Sequence, residues 1–166
     1  MKNLLKIFGL SILVMGISSC AGGKDYSLEQ NPPFEIESAY FQKWMAGVRG
    51  GGSGTKVFIT LSETDSEISF VEIHYRNTFL TATKHHQKLN TFYADFLNEG
   101  SQDVIMDGET VKESQNIPPP KSPFNLDDNE AVIGYKMNGE MKYYKISNLE
   151  EKPIIAYPST NPNGRN

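Results

Sequence analysis

The feature that most constrains the fold of this chain is the pair Asn138-Gly139, which lies between two runs of alternating apolar and polar residues. Both central residues of a type I′ turn need a positive φ, and Asn-Gly tolerates this best. The sequence therefore predicts a hairpin of Ala131–Met137 and Glu140–Ile146. A two-residue loop also fixes the register of the two strands. The expected cross-strand pairs are Ile133 with Tyr144, Tyr135 with Lys142, and Ala131 with Ile146.

A first strand is expected over residues 34–48, where the even positions are mostly apolar and the odd positions include Glu35, Glu37 and Lys43. Such alternation is typical of a strand with one buried face. This phase makes Trp44 a core residue of the strand.

Further short runs have the pattern of strands, bounded by turn residues. They cover residues 56–61, 68–75, 78–81 and 154–157, and in 68–75 both faces are expected to be covered. Residues 88–98 suit a helix or a strand equally. Asp107-Gly108 predicts a second, shorter hairpin of residues 103–106 and 109–113.

Consecutive prolines in residues 117–123 cannot enter a central strand, so this stretch should be an extended connection. Several short strands with frequent turn signals predict a mainly β chain. The expected fold is a single β-sandwich of immunoglobulin-like type over residues 34–157.

The N-terminus has the pattern of a secretory signal. Lys2 and Lys6 precede an apolar stretch over residues 7–17, which is too short to span a bilayer. Small residues then lead to Cys20, the only cysteine in the chain. A lone cysteine in a secreted protein has no disulfide partner within its chain and needs another explanation.

The segment Ile17-Ser18-Ser19-Cys20 resembles the lipobox of bacterial lipoproteins, in which an aliphatic residue and two small residues precede the cysteine. The resemblance implies a diacylglycerol on the Cys20 thiol, cleavage before Cys20 and acylation of the new amino terminus. Two or three acyl chains anchor a protein stably, whereas one binds marginally. The mature protein is expected to lie on a membrane without crossing it.

The predicted organisation has four parts. Residues 1–19 are a signal peptide, 20–33 the lipidated cysteine and a flexible tether, 34–157 the β-rich domain, and 158–166 a disordered tail.

Loss of residues 1–19 removes two lysines and no acid, so the formal net charge of −4 becomes −6. A mildly acidic chain lacks the clustered basic face that nucleic acid requires, so no nucleic-acid partner is expected.

The most unusual segment is glycine-rich and follows Trp44. We single out Trp44, Arg49, Gly50, Gly51, Gly52, Ser53 and Gly54 as a candidate binding loop. Exposed amides with Arg49 could hold an anion or carboxylate beside Trp44 as an apolar anchor. A phosphate loop would need Ser or Thr after the lysine and a helix to follow, but Val57 and a strand follow Lys56. The alternative is a mobile hairpin loop.

Motifs for metal, cofactor or nucleophilic chemistry do not emerge, so no cofactor is expected and enzymatic activity is disfavoured. His85 and His86 would point to opposite faces of a strand, and all three histidines are expected to be exposed loop residues. The acidic run at 127–130 has Val132 where a calcium loop needs glycine. Ser53 lacks the glycine spacing of a nucleophile elbow.

Residues 41–54, Phe41-Gln42-Lys43-Trp44-Met45-Ala46-Gly47-Val48-Arg49-Gly50-Gly51-Gly52-Ser53-Gly54, resemble a segment of small lipoproteins from flavobacteria and their relatives. This resemblance implies an envelope with two membranes, and Ala21 after the cysteine is compatible with the outer membrane. It supplies no activity.

These observations predict an envelope lipoprotein whose non-catalytic β-rich domain binds or scaffolds an envelope protein or an extracellular ligand. The alternative is a binder of carbohydrate or another small ligand, or a hydrolase, built on the same sandwich. That alternative needs aromatic rings on an exposed face. Its candidates are Tyr75, Tyr93, Tyr135, Tyr143 and Tyr144.

Overall fold

The structure, a computed structural model, describes residues 25–48, 51–64, 67–98 and 119–158. Within these ranges the chain is mainly β and contains no helix. The strands, in chain order, are β1 Phe34–Met45, β2 Ser53–Thr64, β3 Ser69–Tyr75, β4 Thr78–Thr81, β5 Thr83–Lys84, β6 Thr91–Leu97, β7 Ala131–Met137, β8 Glu140–Ile146 and β9 Glu150–Ala156.

The strands form two sheets around one hydrophobic core. The large sheet has five strands in the order β5-β6-β2-β1-β9, and the small sheet has four in the order β4-β3-β7-β8. The pairing is antiparallel except between β1 and β9, which run parallel. Both sheets contribute to the core, with Val57 and Ile59 from the large sheet and Ile73, Ile133 and Tyr135 from the small one.

The predicted β7–β8 hairpin is confirmed. Asn138 and Gly139 have φ values of 53° and 83°, as a type I′ turn requires. All three predicted cross-strand pairs occur, because a two-residue loop leaves no freedom in the register.

The predicted phase of β1 is wrong beyond its first residues. The pairing with β2 shifts between Phe34 and Ile36 and again between Ile36 and Ser38, so β1 contains an irregularity of the bulge type. An extra residue in one strand moves every later side chain to the opposite face. The buried residue is therefore Phe41, and Trp44 lies outside the core. The strand also ends at Met45 instead of at residue 48.

Other strand predictions are confirmed with shifted ends. Val57, Ile59 and Leu61 of β2 share the buried side. Both faces of β3 are covered at its end, where Ile73 and its neighbour His74 are both 0% exposed. Residues 88–98, for which the sequence suited a helix or a strand equally, contain strand β6. Strand β9 begins at Glu150, earlier than predicted.

Two further stretches of the chain lie along the edges of the small sheet, and aromatic side chains from both pack on its outer face. Residues 25–33 were expected to belong to a flexible tether, yet Leu28 forms a parallel bridge with Tyr143, and the Glu29 amide donates to the Tyr143 carbonyl at 2.8 Å. Residues 119–126, here called the covering loop, bridge to Thr78 through Lys121.

Several predictions lie outside the described residues. These are the signal peptide, Cys20, the hairpin at 103–113 and the tail beyond residue 158. In the described ranges no helix is long and apolar enough to cross a membrane.

Candidate binding surface

Aromatic side chains form a row across the outer face of the large sheet. Tyr40, Phe58 and Tyr93 lie opposite one another on β1, β2 and β6. Their ring centroids are 4.8 Å and 5.7 Å apart, with interplanar angles of 18° and 27°. Cross-strand neighbours on one face of a sheet stand at this separation, so the register itself stacks the rings. His85 extends the row, 6.0 Å from Tyr93.

Lysine side chains close the end of the row at Tyr40. The ammonium groups of Lys88 and Lys152 each lie 5.8 Å from the centroid of the Tyr40 ring. Lys88 also donates a hydrogen bond to the Tyr40 hydroxyl at 3.3 Å. A cation over a ring face is attracted by the ring quadrupole, so this end of the row combines apolar surface with positive charge.

Trp44 lies four residues after Tyr40 on β1, on the same face of the strand, and its side chain reaches across β2. Its indole nitrogen donates to Asp95 Oδ1 on β6 at 2.7 Å. Gly54 of β2 lies under the indole, because a Cβ at this position would stand 2.8 Å from the indole nitrogen and 2.7 Å from the Phe96 carbonyl oxygen. The absence of a side chain at Gly54 is what allows the indole to lie flat over the sheet.

Lys56 and Tyr157 complete this second aromatic group. Lys56 Nζ is 3.5 Å from Asp95 Oδ2 and 5.9 Å from the centroid of the Trp44 ring. Tyr157 meets Trp44 edge to face at 6.0 Å and is 42% exposed. We call the surface formed by these side chains the outer aromatic face; its members are Tyr40, Trp44, Phe58, His85, Tyr93 and Tyr157.

The predicted binding loop adjoins this surface only at its two ends. Trp44 is the next-to-last residue of β1 and pairs with Gly54 near the start of β2, so the two residues are in contact. Gly51 and Gly52 lie in the connection, where the Gly51 amide donates to the Val48 carbonyl at 3.1 Å and Gly52 has a φ of 78°. The Gly51 amide is therefore used within the loop and does not point to an anion. Arg49 and Gly50 lie outside the described residues.

The exposed tyrosines that a carbohydrate binder would need are not where the alternative places them. Tyr75, Tyr135 and Tyr143 are 1%, 0% and 3% exposed. Of the predicted set, Tyr93 alone belongs to the outer aromatic face, and Tyr144 packs against the core. The other rings of the outer aromatic face are not among the tyrosines that this alternative named.

His74 contradicts the prediction of an exposed loop histidine. It lies on the outer side of β3, stacked on Phe79 at 4.9 Å and enclosed by Phe124 and Tyr143. Its Nδ1 is 3.0 Å from Ser122 Oγ, and its Nε2 is 3.0 Å from Glu72 Oε1. Burial lowers the pKa of His74, while the hydrogen bond and charge of Glu72 raise it in part. Burial, then Glu72, raises the pKa of Tyr143 to about 12.

A serine, a histidine and a carboxylate in one hydrogen-bonded chain are also the parts of a nucleophilic triad. Here the imidazole is fully enclosed by rings, and Ser122 Oγ already accepts the Phe124 amide at 3.2 Å. The chain of bonds therefore fastens the covering loop to β3. Among the described residues no group of three or more His, Cys, Asp or Glu side chains could hold a metal ion.

The outer aromatic face contains a cleft of only about 160 Å³, between Lys56, Phe58, His85, His86 and Tyr93. A larger hollow of about 400 Å³ lies elsewhere, between residues 36–39 of β1 and residues 144–148 around the end of β8. Sites for drug-sized ligands usually measure about 300–1,000 Å³. The aromatic surface is thus open and shallow, and it does not enclose a pocket of that size.

No family model, curated protein or solved structure matches the chain. The interpretation therefore rests on the sequence and on the geometry of the structure.

Sequence reasoning had missed most of the outer aromatic face. The alternation of Lys56 and Phe58 with the buried residues of β2 was a usable signal for their outward direction. The hydrogen bond from Trp44 to Asp95 had no signal in the sequence, because 51 positions separate the two residues.

Proposed function

We propose that this chain is a lipoprotein of the bacterial cell envelope, anchored by lipid on Cys20 to the outer membrane. Its β domain is proposed to bind another protein without catalysis. The contact surface is the outer aromatic face, with the glycine-rich loop at its border. The observation that carries this proposal is the row of stacked, partly exposed rings with lysines at its end.

A contrast between the two sheets supports the proposal. The small sheet has its outer aromatic residues, such as Tyr143 and His74, buried beneath residues 25–33 and the covering loop. Within the described part of the chain the large sheet has no comparable cover, and Tyr157 and Leu97 remain 42% and 47% exposed. Aromatic residues are enriched at protein interfaces, where a Trp or Tyr anchor supplies most of the binding energy.

The arrangement of the rings favours a protein over a carbohydrate as the partner. A sugar ring stacks on an open aromatic face, but the faces of Phe58 are directed at Tyr40 and Tyr93. What the row offers to solvent is ring edges, hydroxyl groups and ammonium groups. These suit a surface of mixed apolar and acidic character.

The strand order supports an immunoglobulin-like topology, which we propose as the finer description of the fold. The orders β5-β6-β2-β1 and β4-β3-β7-β8 correspond to strands D-E-B-A and C′-C-F-G of that fold. Strand β9, parallel to β1 at the edge of the large sheet, is an addition.

Site-specific photo-crosslinking in cells tests the contact surface. A photoreactive residue at Tyr157 or at exposed Lys88 should give a discrete adduct with a partner protein, since both positions border the aromatic groups. The same residue at Lys136, exposed on the small sheet, is the matched control. Equal adducts from all three positions, or adducts from Lys136 alone, would refute the proposed surface.

Three further variants test the loop and the anchor separately. Arg49→Ala and deletion of Gly50 to Gly52 should weaken the adduct at Tyr157 if the loop contributes to the contact. Cys20→Ser should release the protein from the membrane fraction, and mass spectrometry should find no acyl chains. An unmodified Cys20 in the natural protein would contradict the anchor.

A further inference from the structure

We propose that the edge of the small sheet where residues 25–29 pack faces the bilayer that holds the lipid of Cys20. The outer aromatic face, which belongs to the other sheet, then does not rest on that bilayer. This inference deepens the proposed function and rests on its lipid anchor. Its partner is the lipid surface itself, contacted by Tyr26 and Leu28.

The N-terminal contact with the small sheet includes Tyr26, Leu28 and Glu29. Tyr26 packs on Tyr143 and Phe124 with centroid distances of 5.5 Å and 5.9 Å. Leu28 bridges to β8, and Glu29 pairs with Lys142 at 2.9 Å. The chain is thus fixed on the small sheet from Tyr26 onward. The anchor point is only a few residues upstream of this contact.

The chain between the proposed lipid and this contact has a short reach. Asp25 is five residues after Cys20. In any conformation, five residues extend to at most about 17–18 Å. The proposed acyl chains would hold Cys20 at the boundary of the hydrocarbon core, and the headgroup layer outside that boundary occupies about 5–7 Å of the reach. Asp25 must therefore lie within about 10–13 Å of the bilayer surface.

The same short reach excludes the opposite orientation. Packed sheets lie about 10 Å apart, and the ring layer on the outside of the large sheet adds roughly 5 Å more. To rest the outer aromatic face on the headgroups, the chain from Cys20 would have to span this thickness and the headgroup layer, together over about 20 Å. Five residues cannot do so, whereas contact through residues 25–29 needs no extension.

The surface near the anchor has the chemistry of a membrane contact. Tyr26 and Leu28 are 39% and 37% exposed and lie two residues apart near the proposed anchor. Tyrosine is enriched at membrane interfaces because its ring is apolar and its hydroxyl is polar. The charges of Glu29 and Lys142 compensate each other, so no unpaired charge of this pair opposes the approach to lipid.

Fluorescence quenching in vesicles tests the orientation. Cys20 is the only natural cysteine and would be blocked by lipid, so a single introduced cysteine takes the label. The full mature lipoprotein carries an environment-sensitive fluorophore at Leu28→Cys, or at Leu89→Cys as the matched control. Leu89 is 85% exposed and adjoins Lys88 at the outer aromatic face. Vesicles of phosphatidylethanolamine and phosphatidylglycerol contain a lipid with a nitroxide headgroup as the quencher.

The expected result is loss of most fluorescence at position 28 and no loss at position 89. Ser27→Cys, also exposed, repeats the first measurement if the label at position 28 disturbs the fold. Quenching at position 89, or at neither position in a protein whose lipid is proven by mass, overturns the orientation and leaves the anchor standing. A protein that has no lipid and does not float with the vesicles refutes the proposed function itself.

Discussion

At the scale of single residues, Gly54 controls the position of Trp44. A Cβ at residue 54 would stand 2.7 Å from the Phe96 carbonyl oxygen, which is backbone and cannot move cheaply, and 2.8 Å from the indole nitrogen. We expect Gly54→Ala to lower the free energy of unfolding by about 1–3 kcal/mol, as overpacking does. It should also shift the native fluorescence of Trp44, the only tryptophan. Urea unfolding followed by fluorescence measures both.

Gly139→Ala is the matched control for this substitution. No atom lies within 4 Å of a Cβ at Gly139, but its φ of 83° disfavours any residue with a side chain. The expected loss is about 1–2 kcal/mol from backbone strain. The native emission of Trp44 should stay unchanged. An identical emission spectrum in Gly54→Ala would show that the glycine does not set the indole position.

His74 gives the protein a dependence of stability on pH. The unfolded chain takes up a proton on this residue near pH 6.5, whereas burial keeps the folded imidazole neutral to a lower pH. Below pH 6.5 the unfolded state therefore binds more protons, and the free energy of unfolding falls as the pH falls. One proton contributes a slope of at most about 1.4 kcal/mol per pH unit. Urea unfolding between pH 7.5 and pH 5.5 should show this slope.

The slope has to be assigned to His74 by substitution. His74→Gln removes the titrating group and should flatten the profile in this range, although it lowers stability throughout. His86→Gln changes an exposed residue and should leave the profile as it is. A profile that is equally steep in His74→Gln would contradict the assignment.

At the scale of elements, one serine fastens the covering loop to β3. Ser122 Oγ lies 3.0 Å from His74 Nδ1 and accepts the Phe124 amide at 3.2 Å. Ser122→Ala leaves both nitrogens without this partner, and each unsatisfied buried group costs about 1–3 kcal/mol. We expect faster proteolysis within residues 119–126 and a lower midpoint of unfolding. Ser147→Ala, at an exposed serine, should stay within about 0.5 kcal/mol of the natural protein.

The elements that sequence reasoning found are those fixed by local chemistry. The β7–β8 hairpin follows from two residues that accept positive φ, so its register could be written down in advance. The phase of β1 could not be predicted in the same way, because the irregularity near Ile36 depends on the pairing of β1 with β2. One shift there moved Trp44 from the expected core to the outer face.

The candidate site also contains residues that the sequence indicated and residues that it did not. Trp44 and Gly54 were singled out from one unusual segment, and they do touch. Asp95 and Tyr157, which contact the same indole, come from distant parts of the chain and carry no motif. Their assembly depends on strand order, which alternation alone does not determine.

At the scale of the whole molecule, the two sheets present unlike surfaces. The small sheet is covered by the chain, beginning at the end nearest to Cys20. The large sheet exposes Trp44, Tyr157 and the stacked row, bordered by Lys56 and Lys88. The proposed anchor and contact surface would give the domain one side for its membrane and another for a partner. The packing of residues 25–30 is the contact on which this polarity depends.

Truncation of these residues tests that contact directly. A soluble protein that begins at Asn31 loses the packing of Tyr26 on Tyr143, the Leu28 bridge and the ion pair of Glu29 with Lys142. Compared with a protein that begins at Asp25, its free energy of unfolding should fall by about 1–3 kcal/mol from lost apolar burial and hydrogen bonds. Glu29→Gln removes only a surface ion pair and should cost less than about 1 kcal/mol. Equal stability of the two truncated proteins would mean that residues 25–30 do not hold to the small sheet. The reach from Cys20 would then lengthen by those residues, and either face of the domain could meet the bilayer.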